Sequence, residues 1–331
     1  MKTEPLNAED IRPEALEGHA EPQNPETAVA AEEPAELVSE ERSQEESGPP
    51  EEASAWRRYA LPALGVIGAL GGLEVLRDRF QKSHLFAPTR YPEGDWEPEK
   101  SGLPCQDVWL TSEDGTRLHG WWIETPRSRA TVLYCHGNSG SIAERVELFT
   151  VLRRLKVNIF AFDYRGFGKS DGSPSAPGIF ADVRAAIDYA VGELGVSPSK
   201  MILFGHSLGG AVAIDGALNR PSLAGVVIQS TFTDLNDMAR HFYPGIPMHL
   251  ITRNKIRSIE KVPQIRIPKL FIHGTEDPTV PFAMGEKLYE EAAGPKSWYP
   301  VEGAGHNDLH LCGKQTYFRV LTRFRERCIN P

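Results

Sequence analysis

The run Lys200-Met201-Ile202-Leu203-Phe204 leads into Gly205-His206-Ser207-Leu208-Gly209, which leads into Gly210-Ala211-Val212-Ala213-Ile214. The first run is short and apolar, as a buried strand is, and the last is built of small and aliphatic residues, as a packed helix is. A G-x-S-x-G turn between a strand and a helix constrains the fold more than any other feature of this chain. A serine on so sharp a turn takes a strained backbone with almost no room around it. Glycines on either side remove the Cβ atoms that would clash. The turn lifts the Ser207 hydroxyl out of the sheet and sets the Leu208 N–H at a helix N-terminus.

A serine hydroxyl is a weak nucleophile at neutral pH, so it needs a base, and the base needs an orienting acid. At strand–turn–helix serine sites the chain order is Ser, then Asp or Glu, then His. After Ser207, the apolar run Leu270-Phe271-Ile272 enters the polar loop His273-Gly274-Thr275-Glu276-Asp277-Pro278. Asp277 is the expected acid, with Glu276 the adjacent alternative. The strand-like Ser297-Trp298-Tyr299-Pro300-Val301 then leads to Gly303-Ala304-Gly305-His306-Asn307-Asp308, where His306 is the expected base. An oxyanion hole needs two N–H donors aimed at the developing negative charge. Leu208 is expected to supply one. The loop His136-Gly137-Asn138-Ser139-Gly140, after the strand-like Thr131–Cys135, supplies the other, and the amide of Asn138 is favoured. His136, His206 and His273 read as structural residues that hold loops by hydrogen bonds.

His136-Gly137-Asn138, Asp163-Tyr164-Arg165-Gly166-Phe167-Gly168, the serine turn, His273-Gly274-Thr275-Glu276-Asp277 and Gly305-His306-Asn307-Asp308, in this order, resemble the α/β-hydrolase superfamily. The segment Leu85-Phe86-Ala87-Pro88-Thr89-Arg90 carries the resemblance further. It is similar to the membrane-anchored α/β-hydrolase-domain serine hydrolases, related to protein depalmitoylases and serine-aminopeptidase-like hydrolases. The similarity runs from residue 83 to 329. It implies the α/β-hydrolase fold, with a mostly parallel sheet between helices, and Ser207, Asp277 and His306 as a triad. It does not fix a substrate.

Charge divides the chain. Residues 1–55 hold 16 acidic and 3 basic side chains, a net −13 against −9 for all 331 residues, which leaves +4 for the remainder. This Glu-, Pro-, Ala- and Ser-rich tail has too few apolar residues to offset its ordering entropy, so it is expected to be disordered, as a solvating spacer or a binding tail. An acidic arm argues against nucleic acid as a partner. The four cysteines show no C-x-x-C spacing and no metal pattern; Cys135 is expected as a buried thiol.

Residues 56–82 are expected to form a membrane anchor and linker. Tyr59–Leu73 is uncharged and mostly apolar, with Arg57 and Arg58 before it and Arg77, Arg79 and Lys82 after it. A spanning helix wants about 20 apolar residues, which this run reaches only if Glu74 is tolerated near the interface. The expectation is a single-pass protein anchored near its N-terminus. The alternative is a packing helix or linker on a cytoplasmic protein.

Residues 83–331 read as a catalytic domain of alternating strands and helices. Strands are expected at Gln106–Thr111, Arg117–Ile123, Thr131–Cys135, Asn158–Asp163, Met201–Phe204, Ala224–Gln229, Lys269–His273 and Ser297–Val301. Helices are expected at Ser141–Leu155, Ile179–Leu194, after the serine turn, and at Gln315–Cys328. Two lookalikes fail. The third glycine of a dinucleotide fingerprint starting at Gly166 would be Asp171, and the first glycine of a P-loop ending in Gly168-Lys169-Ser170 would be Asp163.

The connection from Ser230 to Lys269 is long enough for a small cap, with Phe232, Met238, His241, Phe242, Tyr243, Pro244, Pro247, Met248 and Leu250 as lining, or for a packed helical excursion. The expected activity is hydrolysis of an acyl ester or thioester through an acyl-enzyme, with no metal or organic cofactor. The alternatives are a peptidase acting on short peptides, for which Asp234 and Asp237 are the nearby carboxylates, and a silent membrane-tethered binding protein.

Overall fold

The computed structural model describes residues 85–218, 220–242 and 256–330. The acidic tail 1–55, the anchor and linker 56–82, and the cap residues Tyr243, Pro244, Pro247, Met248 and Leu250 lie outside the described residues.

Among the described residues ten strands are present: β1 Ala87–Pro88, β2 Gln106–Thr111, β3 Arg117–Ile123, β4 Ala130–Cys135, β5 Ser139–Gly140, β6 Val157–Phe162, β7 Met201–His206, β8 Gly225–Gln229, β9 Lys269–Gly274 and β10 Lys296–Val301. The longer helices are α1 Val146–Leu152, α2 Ala176–Gly192, α3 Leu208–Ala217, α4 Leu235–Phe242, α5 Phe282–Glu291 and α6 Lys314–Ile329. Eight strands form one sheet in the order β10-β9-β8-β7-β4-β6-β3-β2. From β10 to β6 all neighbours are parallel; β3 runs antiparallel to both β6 and β2.

The hydropathy of each strand follows its place. The central β4, β7 and β8 are buried along their whole length because helices cover both faces of a parallel sheet. The edge strand β2 alternates buried Val108 and Leu110 with exposed neighbours. Two apolar cores result, one on each face. On one, α2 buries Phe180, Val183, Ala186, Ile187 and Ala190, the residues at helical spacing. Its N-terminus is capped by Ser175, whose hydroxyl accepts from the Gly178 amide at 3.2 Å.

Two expected elements differ. The helix expected over Ser141–Leu155 is α-helical only over Val146–Leu152, with 3₁₀ turns at Ile142–Arg145 and Arg153–Leu155. The Asp163 carboxylate holds the Ile142 amide at 2.9 Å, which draws the chain into a tight first turn. The pairing of β1 with β5 is unexpected, because two-residue strands carry no periodicity.

The single-pass membrane span is corrected. Among the described residues no helix is long and apolar enough to cross a membrane. The longest, α2 and α6, have 17 and 16 residues and carry polar faces. The proposed run itself has only 15 uncharged residues, interrupted by Pro62 and four glycines, against about 20 needed. The membrane localisation and membrane association expected from it are withdrawn.

Candidate active site

Ser207, Asn138, Asp277 and His306 all lie just past the C-terminal ends of parallel strands, on β7, β4, β9 and β10 respectively. In open α/β sheets ligands bind at this edge. The sheet order therefore gathers residues far apart in sequence along one rim.

Ser207 has φ 56° and ψ −121°, a conformation that L-residues avoid. The strain is imposed by packing. A Cβ on Gly205 would collide with the Gly209 carbonyl, and a Cβ on Gly209 would collide with the Cys135 carbonyl at the end of β4. The Ser207 amide donates to Gln229 O at 2.9 Å, tying the turn to β8. Leu208 opens α3, where the first backbone N–H groups lack intrahelical acceptors.

Asp277 and His306 meet directly. His306 Nδ1 lies 2.8 Å from Asp277 Oδ2. The other carboxylate oxygen accepts from the Thr279 and Val280 amides at 2.9 and 2.8 Å. His273 Nε2 lies 3.4 Å from Oδ2 and 3.0 Å from Val280 O. Burial alone would push the Asp277 pKa up; the hydrogen bonds from His273, His306 and Val280 outweigh it and hold the carboxyl well below the usual range. An ionised Asp277 accepts the Nδ1 proton, so the Nε2 lone pair of His306 is left free to take another. The neighbouring Glu276 is exposed.

His136, His206 and His273 touch loop carbonyls. His206 Nε2 lies 3.0 Å from His306 O, and its ring sits 4.9 Å from the His306 ring. Burial, and then the proximity of His306, pull the His206 pKa down to about 3, so it is neutral beside the His306 ring. His136 Nδ1 lies 2.8 Å from Gly137 O, and burial pulls its pKa to about 3. Its Nε2 is buried without a hydrogen-bond partner, 3.6 Å from Asp163 Oδ1. The Tyr164 hydroxyl donates to His136 O at 2.9 Å. A Cβ on Gly137 would come within 3.6 Å of Ser207 Cβ, so the 136–140 loop stands against the serine.

Asp163 and Tyr164 are site-shaping residues whose role the sequence did not single out. In the sequence they enter only through the motif that carries the resemblance and, for Asp163, as the residue that spoils a P-loop; the signal available is that this motif follows β6, next to β4 in the sheet. Arg165 anchors the turn from behind, donating to Asp182 at 2.7 Å and Asp114 at 2.6 Å.

Among the described residues no group of three or more His, Cys, Asp or Glu side chains could hold a metal ion. The four cysteines are free, and Cys135 is buried at the end of β4. In the 230–242 segment Phe232 is buried, while α4 buries no residue and leaves Phe242 exposed.

Comparison with known proteins agrees with this architecture. Residues 126–258 match the family described as serine aminopeptidase S33, a stretch that contains Asn138 and Ser207 and ends before Asp277 and His306. An uncharacterized protein of Mycobacterium tuberculosis is 35% identical over 272 residues, 81% of this chain and 95% of its own length. The α/β-hydrolase domain-containing protein WAV2 of Arabidopsis thaliana is 33% identical over 250 residues, 70% of this chain and 81% of its own. Among solved structures, an esterase of Pyrococcus furiosus superposes with a TM-score of 0.62 at 23% identity, over 73% of this chain and 98% of that one. An α/β hydrolase of Vibrio vulnificus gives 0.58 at 22%, over 68% and 82%. A mostly parallel eight-stranded sheet, a serine turn after its central β7 and these relatives lead to one assignment: the chain belongs to the α/β-hydrolase superfamily and is a hydrolase.

Proposed function

We propose that the chain is a serine hydrolase that cleaves carboxylic esters or thioesters through an acyl-enzyme, with Ser207, Asp277 and His306 as its triad. The observation that carries this reading is the 2.8 Å contact between His306 Nδ1 and the buried Asp277 carboxylate, on the same sheet rim as a serine held in a strained turn.

In this reading His306 Nε2 takes the Ser207 proton as Oγ attacks the substrate carbonyl. The negative charge moves onto the carbonyl oxygen, where the amides of Leu208 and Asn138 receive it. The tetrahedral species collapses, the bond to the leaving oxygen or sulfur breaks, and His306 returns the proton to the leaving group. A water, deprotonated by His306, then attacks the acyl carbon and releases the acid and Ser207. Asp277 stays ionised and stabilises the imidazolium. Neutral His206 adds no second positive charge beside it.

Ester or thioester chemistry is favoured over action on free peptide N-termini. Asp234 Oδ1 already caps α4, accepting from the Asp237 amide at 2.8 Å. Asp237 is engaged by Thr233 and Arg240, each at 2.6 Å. The Asp237 carboxylate is thus already paired with a guanidinium, and Asp234 is drawn into the cap of α4. Phe232, Met238 and Phe242 in the segment after β8 favour an acyl or lipid-like substrate.

A fluorophosphonate probe tests the reading. Wild type is expected to label, and Ser207→Ala and His306→Ala to lose labelling while remaining folded. Ser207→Ala is expected to lose at least about 10⁴ in ester turnover. An ester and thioester series of increasing acyl length then sets the preference. A folded wild type that does not label points to a binding protein; labelling with turnover of aminoacyl amides alone points to a peptidase.

A further inference from the structure

The loop that would hold the second oxyanion donor has every one of its carbonyls engaged. Tyr164 donates to His136 O at 2.9 Å, and His136 Nδ1 lies 2.8 Å from Gly137 O. The Ala87 amide donates to Asn138 O at 2.8 Å, Arg145 Nη2 to Ser139 O at 3.1 Å, and the Thr89 amide to Gly140 O at 3.1 Å. A peptide unit is planar and trans, so fixing a carbonyl also fixes the direction of the N–H across the same bond. The Asn138 N–H shares its plane with Gly137 O, and the next plane holds Asn138 O. Both planes flanking Asn138 are therefore held by groups outside that residue.

Two of the five donors are main-chain amides of one short stretch, residues 87–91. On its other edge that stretch is tied to the turn after β6. Gly168 N donates to Thr89 O at 2.9 Å, and Tyr91 N donates to Gly168 O at 3.1 Å. Arg90 donates from Nη1 to Ser170 O at 2.6 Å and from Nη2 to Gly172 O at 3.3 Å. Phe86 is buried, its ring meeting Phe167 edge-on at 6.4 Å. The stretch thus lies as a strap between two loops that both leave the C-terminal rim of the sheet.

We propose that Ala87–Tyr91 is the positioning element of the oxyanion hole: through Asn138 O and Gly140 O it holds the peptide planes that follow the Asn138 N–H, and so the loop that carries it, against the turn 163–172. This rests on the serine-hydrolase reading above. The strap touches no reacting atom in this account; it acts through the 136–140 loop. An oxyanion donor contributes mainly where charge develops, so loosening it lowers kcat and leaves KM nearly untouched.

The test uses the full chain. Ala87→Pro and Thr89→Pro each delete one donating N–H, Ala87→Gly keeps it, and Arg90→Ala removes the two side-chain bonds from the strap to the 163–172 turn while its two main-chain bonds to Gly168 remain. Three readouts are compared: the second-order rate of fluorophosphonate labelling, kcat and KM on a p-nitrophenyl ester, and deuterium uptake of the peptide containing 136–140. The proline variants are expected to label about tenfold more slowly, a fraction of the effect of removing a donor outright, with KM within about twofold and faster uptake at 136–140. Ala87→Gly is expected to stay within about twofold of wild type, and Arg90→Ala to lose about threefold. Faster uptake at 136–140 with labelling at the wild-type rate would overturn the proposal, and so would uptake and labelling both unchanged. If both proline variants fail to fold, Arg90→Ala decides by the same criteria. A wild type that does not label sinks the serine-hydrolase reading instead, so the two failures are distinguishable.

Discussion

Two turns face each other across Ser207, and they are held in opposite ways. The elbow 205–210 is held by its own sequence. Gly205 abuts Gly209 within the same turn, and Gly209 abuts the end of the adjacent strand β4. Ser207 takes φ 56° because no other path joins β7 to α3 in so little space. The loop 136–140 is held from a distance. Its carbonyls are engaged by Ala87 and Thr89 before it in the chain and by Tyr164 and Arg145 after it. A turn fixed by packing is hard to alter without loss of the fold. A turn fixed by hydrogen bonds from several elements can be loosened one bond at a time.

The sharpest way to break this comparison is Gly209→Ala. The added Cβ has no room against the Cys135 carbonyl, and the obstacle is backbone, which cannot rotate away. The expected cost is about 3 kcal/mol, the upper part of the range for overpacking. Thermal unfolding is then expected roughly 10 °C below wild type, given a few degrees per kcal/mol in a domain of this size. A variant with unchanged melting temperature would mean that β4 and α3 can part, and that the elbow is no more rigid than the loop.

A smaller effect is expected on the other side. Tyr164→Phe removes one hydroxyl and leaves His136 O without that donor. Such a loss costs about 1 kcal/mol. Because four other carbonyls remain engaged, the melting temperature is expected to fall by about 3 °C and kcat on a p-nitrophenyl ester by about fivefold, with KM unchanged. A loss in kcat as large as that of Ser207→Ala would show that the loop depends on this one bond rather than sharing its restraint.

The same contrast explains what was legible in the sequence. The elbow could be read because its determinants are contiguous: an apolar run, Gly205 to Gly209, and a run of small residues. The eight strands of the main sheet could be read to within a residue or two, most of them because parallel strands buried on both faces are continuous apolar runs, whereas β1 and β5 were missed. Asp277 and His306 could be named from loop position and chain order, and the fold brings their side chains to 2.8 Å. The strap could not be read. Leu85–Arg90 served only as a mark of resemblance, because main-chain amides leave no trace in residue type. Asp163 passed as the residue that spoils a P-loop, because a carboxylate buried by tertiary packing looks in sequence like any turn aspartate. The Tyr59–Leu73 run misled in the other direction, since composition suggested an anchor that its length did not support.

Asp163 gives the most specific prediction, read as a slope in pH rather than as a single loss. Its Oδ1 accepts from the Ile142 amide at 2.9 Å and lies 3.6 Å from His136 Nε2, while Oδ2 is buried without a partner. Burial pushes its pKa up to about 8 and pulls that of His136 down to about 3, so at neutral pH both are uncharged. In the unfolded chain an aspartate titrates near 3.9. A carboxyl whose folded pKa is raised stabilises fully below the unfolded value, and that contribution is lost as pH rises through the folded one. Wild-type stability is therefore expected to fall, relative to Asp163→Asn, from about pH 4 to about pH 8, and then to run parallel to it. The limiting slope of one proton is about 1.4 kcal/mol per pH unit. His136 stays neutral in the fold across that window, so its unfolded-state titration is common to both proteins and cancels in the difference. Urea denaturation at intervals between pH 5 and 9 measures this difference. Curves that stay parallel from pH 5 to 8 would mean that Asp163 is already ionised in the fold beside a neutral His136. The Ile142 amide would then donate to a charged carboxylate, and breaking that bond would cost more than Tyr164→Phe.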